Sequence, residues 1–317
     1  MKFVPAVALA LSIAPVAAVH ADTVLTDYNL VVGGNLDSNS EVEGRTLVGG
    51  NLAGQNWSNY ATRLTPSGDF SNVNSLVVGG NATASFNLQA GDARIGGNRT
   101  GNVNLNGAGS QVFANDASAT SIANSVIPQM LSLSNGLRSL AADSTVSPLG
   151  SQPAAVRFTA TPGADNIAVF AINGSVFSDS RAQQYELLTG AANANTTFVI
   201  NVSGTTVRIS EGNFVSAFSD LARRANIIWN FFEATSLEIN QNLFGAVLAP
   251  VANLQNSTAI EGSVFVGGNF TQRGEVHLPL YRGSPPPVGT PAAVVPVPAA
   301  VLAGPALLGL LALARRR

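Results

Sequence analysis

The sequence predicts a mostly β protein, an irregular right-handed β-solenoid with one long flanking α-helix. Three observations carry that reading. A phrase ending in Gly-Gly-Asn returns five times, as Leu30-Val-Val-Gly-Gly-Asn35, Thr46-Leu-Val-Gly-Gly-Asn51, Leu76-Val-Val-Gly-Gly-Asn81, Ala93-Arg-Ile-Gly-Gly-Asn98 and Val264-Phe-Val-Gly-Gly-Asn269. The first four lie near one interval or twice it: sixteen residues from Gly34 to Gly50, thirty to Gly80 and seventeen to Gly97. Residues 117–142 depart from the pattern, with apolar residues three or four apart.

Each phrase reads as a short buried strand followed by a turn. Its aliphatic residues favour extended backbone, and Gly-Gly-Asn supplies residue types that tolerate positive φ. One strand with a corner cannot bury its apolar side alone. Stacked coils can, because each pairs its backbone with the next at about 4.8 Å and shares a continuous core. A β-sandwich also places Gly and Asn in hairpin turns; the near-regular spacing favours the solenoid.

Composition narrows the function. Of 317 residues, 46% are hydrophobic and only 11% charged, which fits a β-rich extracellular protein with a polar but largely uncharged surface. There is no cysteine, so disulfides, thiolate nucleophiles and cysteine metal sites are excluded. Without Lys2 and the terminal Arg315, Arg316 and Arg317, twelve basic residues face 18 acidic ones, a net charge near −6. No basic stripe with interleaved aromatics exists, so nucleic acid is not an expected partner.

The chain divides into four parts. Residues 1–21 combine Lys2, an apolar run and the small-residue site Val19-His-Ala21, the pattern of a cleaved secretory signal peptide. Residues 22–281 form the solenoid domain, and residues 282–294 a linker rich in Pro and Gly. Residues 295–317 hold Val295-Pro-Val-Pro-Ala-Ala300, an apolar helix-forming run and three arginines. That run is short of the roughly 20 residues a bilayer needs, so it reads as a transient transmembrane tether with its arginines on the cytoplasmic side. The tail resembles the C-terminal sorting signals of Gram-negative bacteria, in the Val-Pro-Leu-Pro-Ala variant of the Pro-Glu-Pro type, with Val297 in place of leucine. The resemblance implies processing by an exosortase-like enzyme and delivery to the cell surface or outer membrane.

Within the domain, residues 53–74 make the longest interruption between repeats. They read as a projecting loop whose Trp57 and Tyr60 are the candidate ligand-binding residues, unless the aromatics pack down on the coils. In residues 117–142, Ile122, Val126, Met130, Leu133, Leu137 and Leu140 form one helical face, with Pro128 either near the start or at a kink. Strands are expected to resume at residues 155–160, 167–177, 185–188, 197–202 and 206–209. Asn201-Val-Ser-Gly204 is a tight corner, and closely spaced strands continue to Val266.

The phrases Trp229-Asn-Phe, Glu233-Ala-Thr-Ser-Leu-Glu-Ile239, Gly245-Ala-Val-Leu-Ala-Pro250, Ile260-Glu-Gly262 and Gly274-Glu-Val-His277, with Tyr28-Asn-Leu-Val-Val-Gly-Gly-Asn-Leu36 and Val42-Glu-Gly-Arg45, resemble the choice-of-anchor A domain family across nearly the whole mature body. The resemblance implies a surface adhesin built like the ice-binding fold, a β-helix flanked by a long helix, with no defined catalytic residues.

The residues argue against catalysis. His277 is the one histidine after residue 21, and no Gly-x-Ser-x-Gly elbow accompanies it. It is expected to be structural or exposed, and a histidine zinc cluster is ruled out. Asp37, Glu41 and Glu43 cluster without the alternating acids of a calcium loop, so no cofactor is expected, calcium being the open alternative. Thr83, Thr100, Thr196, Thr197, Thr205 and Thr206 show no common register in sequence, as a flat ice-binding face would require. The expectation is a secreted, surface-anchored, non-enzymatic adhesion or matrix protein that binds carbohydrate or matrix protein. A polysaccharide-acting β-helix enzyme and an ice-binding protein are the alternatives.

Overall fold

The structure, a computed structural model, describes residues 22–55, 57–64 and 74–284. The readings of residues 1–21, of residues 285–317 and of Pro66 lie outside these. Almost all strands are short and run parallel in stacked coils. The ten-stranded sheet has the spatial order Val112–Ala114, Asp92–Ile95, Asn74–Val78, Thr46–Val48, Leu30–Val32, Val264–Val266, Ala246–Ala249, Ile227–Asn230, Thr197–Ser203 and Ile167–Asn173. A six-stranded sheet follows it around the coil: Thr206–Ile209, Ser236–Ile239, Asn253–Asn256, Phe270–Gln272, Leu36–Ser38 and Leu52–Ala53. The third side is a seven-stranded sheet of Val103–Leu105, Phe86–Leu88, Ser58–Tyr60, Glu41–Val42, Val276–His277, Ile260–Glu261 and Leu243–Phe244. A four-stranded sheet, Thr145–Val146, Ala154–Thr159, Ala182–Leu188 and Asn213–Ser216, completes the stack.

The spatial order is not the sequence order. Leu30 pairs with Thr46 on one side and with Val264 on the other, so the first and last coils are neighbours at the middle of the stack. The chain therefore winds outward to Val112–Ala114, crosses back and winds inward again. The crossing is made by helix α2, Ala117–Arg138; the shorter helices are α1, Asp22–Asp27, and α3, Leu221–Arg224. At 1.5 Å per residue, α2's 22 residues span about 33 Å, enough to reach from Asn74–Val78 and Asp92–Ile95 to Thr197–Ser203.

The same crossing explains why the repeats open on unbroken apolar runs. Leu30, Val32, Val48, Leu76 and Val78 point into the coil interior, while Val31, Leu47, Val77 and Phe265 point the other way, into a second core beneath α2. A sheet buried on both faces needs apolar residues at every position. From α2, Ala119, Ala123, Met130, Leu133 and Leu137 are buried against it. Pro128 sits inside the helix on an exposed position, where the carbonyl it leaves unpaired faces water. The helix stops at Arg138, four residues before the expected end, and Asp143 and Ser144 then pair with Val169.

Three expectations need correction. No repeat glycine has positive φ; among the described residues the glycines that do are Gly91, Gly109, Gly190, Gly204, Gly212 and Gly245. The repeat glycines are required by close approach instead. A Cβ on Gly49 would lie 2.4 Å from the Gly33 carbonyl oxygen, and one on Gly79 would lie 2.5 Å from that of Gly49. Residues 53–74 are likewise not one projecting loop, since Leu52–Ala53 and Ser58–Tyr60 are strands of the second coil. The strand expected over residues 167–177 ends at Asn173 and continues as a 3₁₀ turn, Gly174–Ser178.

Candidate functional site

Trp57 and Tyr60 are not brought together. Tyr60 is fully buried in the coil interior, edge-on to Phe86 at 5.8 Å between ring centroids, and burial pushes its phenol up to about 12. It is a core residue and touches no solvent. Trp57 is 44% exposed and directly precedes the strand Ser58–Tyr60, two positions before Asn59.

Asn59 opens a feature that sequence reading missed. Glu41, Asn59, Asn87 and Asn104 occupy one outward position on successive strands of the seven-stranded sheet. Asn104 Nδ2 donates to Asn87 Oδ1 and Asn87 Nδ2 to Asn59 Oδ1, each at 2.9 Å. Beside this row, Asn106 Nδ2 donates to Gln89 Oε1 at 3.1 Å. These bonds fix the amide planes, and Asn87, which both donates and accepts, keeps one N–H and one lone pair to spare. The result is a preorganised strip of donors and acceptors at the coil spacing, with one exposed indole beside it. The signal was present in the sequence as Ser-Asn-Tyr60, Phe-Asn-Leu88 and Val-Asn-Leu105, apolar or buried residues flanking an asparagine.

The same sheet continues into a cleft of about 490 Å³ lined by Glu41, Glu43, Arg63, Leu221, Arg224, Glu261, Glu275 and His277. His277 Nδ1 lies 2.8 Å from Glu261 and Nε2 lies 2.5 Å from Glu275. Burial would lower its pKa, but the hydrogen bonds to Glu261 and Glu275 and the charges of Glu261 and Glu43 outweigh it and raise the value. An imidazole engaged at both nitrogens has no lone pair for a metal or for proton abstraction. Glu261 also pairs with Arg224 at 2.8 Å, and Glu43 with Arg63 at 3.1 Å and with the backbone N–H of Leu278. Most of the cleft's charges thus pair with one another; Glu41 instead accepts from Thr62 Oγ1, and Arg224 Nε is buried without a partner among the described residues. Among the described residues no group of His, Asp and Glu is placed to hold a metal ion.

The outward row of the six-stranded sheet is Arg208, Glu238, Gln255, Thr271, Asp37 and Ala53, followed in bridge register by Thr83 and Thr100. Ion pairs Arg208–Glu238 at 3.4 Å and Arg273–Asp37 at 3.3 Å lie on it. Thr83 and Thr100 stand one above the other, whereas Thr196 and Thr197 are buried. Among the described residues no helix is long and apolar enough to cross a membrane.

A parallel β-solenoid with a helix along one flank and a rigid polar strip on another is a scaffold that presents a surface. A family profile described as "Putative Ice-binding-like adhesive domain" matches residues 21–278, and the chain belongs to this family. Among solved structures it is similar to an ice-binding protein from the Antarctic ascomycete Antarctomyces psychrotrophicus, at 13% identity and a TM-score of 0.37, covering 83% of this chain and 98% of that one. It is similar to the ice-binding protein 1 domain of Shewanella frigidimarina at 12% identity and a TM-score of 0.38, covering 80% and 94%. A glycosylated ice-binding protein from an Arctic yeast matches at 13% identity and a TM-score of 0.35, covering 86% and 98%. No curated protein matches the chain.

Proposed function

We propose that this protein is a secreted, surface-anchored adhesion protein that binds carbohydrate, or failing that a matrix protein, along the outer face of the seven-stranded sheet. The observation that carries the reading is the row Asn59, Asn87 and Asn104, held in register by its own hydrogen bonds, with Trp57 exposed beside it. Fixed amides hydrogen-bond hydroxyl groups without paying for their own ordering, and an indole stacks on the apolar face of a sugar ring. The finer readings belong here too: a choice-of-anchor A domain, residues 1–21 as signal peptide, and residues 295–317 as a sorting signal processed by an exosortase-like enzyme. Mass spectrometry of the protein recovered from cells tests both ends.

The binding test is a glycan and matrix-protein array. The wild type is expected to bind, Trp57→Ala to lose about tenfold or more in affinity while melting as the wild type does, and Asn87→Ala to lose less. Silence of the folded wild type on the array overturns the reading. A second reading, ice binding, rests on the family's description and on the in-register pair Thr83 and Thr100. Thermal hysteresis, absent on the adhesion reading, decides it.

A further inference from the structure

The two ends of the stack differ. At the Ile167–Asn173 end the outer strand edge is covered: the N–H groups of Asp143 and Ser144 donate to the Val169 carbonyl, and Asp143 Oδ1 accepts from the Val169 N–H at 2.8 Å. Thr145–Val146 then pairs antiparallel with Ala154–Thr159, closing that edge as well. At the opposite end, Val112–Ala114 and Val103–Leu105 are the last strands of their sheets, and among the described residues no strand pairs with their outer edges. Half of the backbone groups of such a strand face outward unpaired.

The core is uncovered at the same place. Leu105 is in register with Leu88, which is fully buried, yet Leu105 is 42% exposed because no further coil lies over it. Val103 and Val112, in register with the buried Phe86 and Ala93, are only half-buried. The asparagine ladder also stops here: Asn98 donates its N–H to Asn81 Oδ1, while at the next corner Asn115 donates its N–H to the Gly97 carbonyl and the chain turns into α2.

We propose that this open end is a docking surface for a second copy of the same chain, joined through the same end. Natural sheet edges are guarded by charges and prolines, and from Thr100 to Asn115 there is neither an Asp, Glu, Lys or Arg nor a Pro. A two-fold contact sets each residue's patch against itself, so it requires the absence of net charge that this end shows. The described part of the chain ends well away from this face. The described residues end at Ser284, whose N–H donates to Thr197 Oγ1, eight strand spacings or about 38 Å along the ten-stranded sheet from Val112–Ala114. Pairing the two ends covers Val103, Leu105 and Val112 and extends both sheets across the junction.

Sedimentation velocity of the full chain over a concentration series tests this. A concentration-dependent dimer is expected, weakened at least tenfold by Leu105→Glu and unchanged by Val251→Glu, which puts the same charge on an exposed corner away from this end. Because the chain has no cysteine, Ala108→Cys in the exposed turn beside Leu105 gives a second readout that does not disturb the core. It should cross-link copies under oxidation, and Val251→Cys should not. A protein monomeric at every concentration, or a dimer that survives Leu105→Glu and leaves Ala108→Cys uncross-linked, overturns the proposal. Should Leu105→Glu fail to fold, the cysteine pair decides alone.

Discussion

At the scale of single residues, Gly-Gly-Asn does two jobs with one phrase. The glycines let the corner of one coil touch the corner of the next, and the asparagine locks the contact: the N–H of Asn51 donates to Asn35 Oδ1 and that of Asn81 to Asn51 Oδ1, both at 2.8 Å. Across the junction of first and last coils the ladder continues, with the Asn35 N–H on Asn269 Oδ1 at 2.9 Å. Gly79→Ala should therefore cost about 2 kcal/mol, because its Cβ would meet the backbone oxygen of Gly49, which cannot swing away. Urea denaturation checks it; a loss below a few tenths of a kcal/mol would mean that the coils separate easily. The importance of these glycines was legible in the sequence, but the reason was not. Residue type shows what a position tolerates, and only the stacking shows that space, not φ, is limiting. Trp57 and Tyr60 make the same point, being three positions apart and opposite in fate: Trp57 is exposed just before the strand, and Tyr60 is buried within it.

At the scale of elements, α2 was readable from its apolar spacing, while what fixes it on the sheet was not. Asn230 Nδ2 donates to the Ser134 carbonyl and to Asn201 Oδ1, Ser134 Oγ donates to Asn230 Oδ1, and Asn201 Nδ2 donates to the Leu137 carbonyl. These side chains are separated by up to 96 residues, so no local pattern announces them. Buried and mutually satisfied, they hold one helix register where apolar contacts alone would permit sliding. Asn230→Ala leaves several of these groups unpaired and should destabilise the fold by about 2–3 kcal/mol, read from the shift in the chemical denaturation midpoint.

The strand end at His277 carries a pH dependence. Its folded pKa is raised, so the protonated ring's contribution is complete below about 6.5 and is lost as pH climbs through the folded value. The group is partly exposed and solvent screens it, which keeps the effect to about 1 kcal/mol or less. Denaturation midpoints should thus fall between pH 6 and pH 8, and His277→Gln should flatten that fall. A midpoint equally steep in the variant would place the titrating group elsewhere.

At the scale of the whole molecule, repeats suggest a stack that grows in sequence order, and here the order is broken. Of the five phrases, Val264-Phe-Val-Gly-Gly-Asn269 stands far from the others in sequence, yet it packs on the first as directly as the second phrase does, with Val31 between Phe265 and Leu47. Sequence spacing could show that coils exist but could not show that the last would return to the first, because that depends on α2 spanning the stack. The consequence is energetic. An ordinary solenoid is nearly a sum of neighbour contacts and can fray from its ends. This chain has its terminal coils at the centre, so neither arm can complete its inner edge until the other is folded. The halves should therefore unfold together. In a Trp57→Phe variant, emission from the buried Trp229 reports the arm that follows α2, while far-UV circular dichroism reports both arms. Their urea transitions are expected to coincide in midpoint and steepness. A circular-dichroism curve with a second step, unaccompanied by any change at Trp229, would show that the arm before α2 folds without the seam.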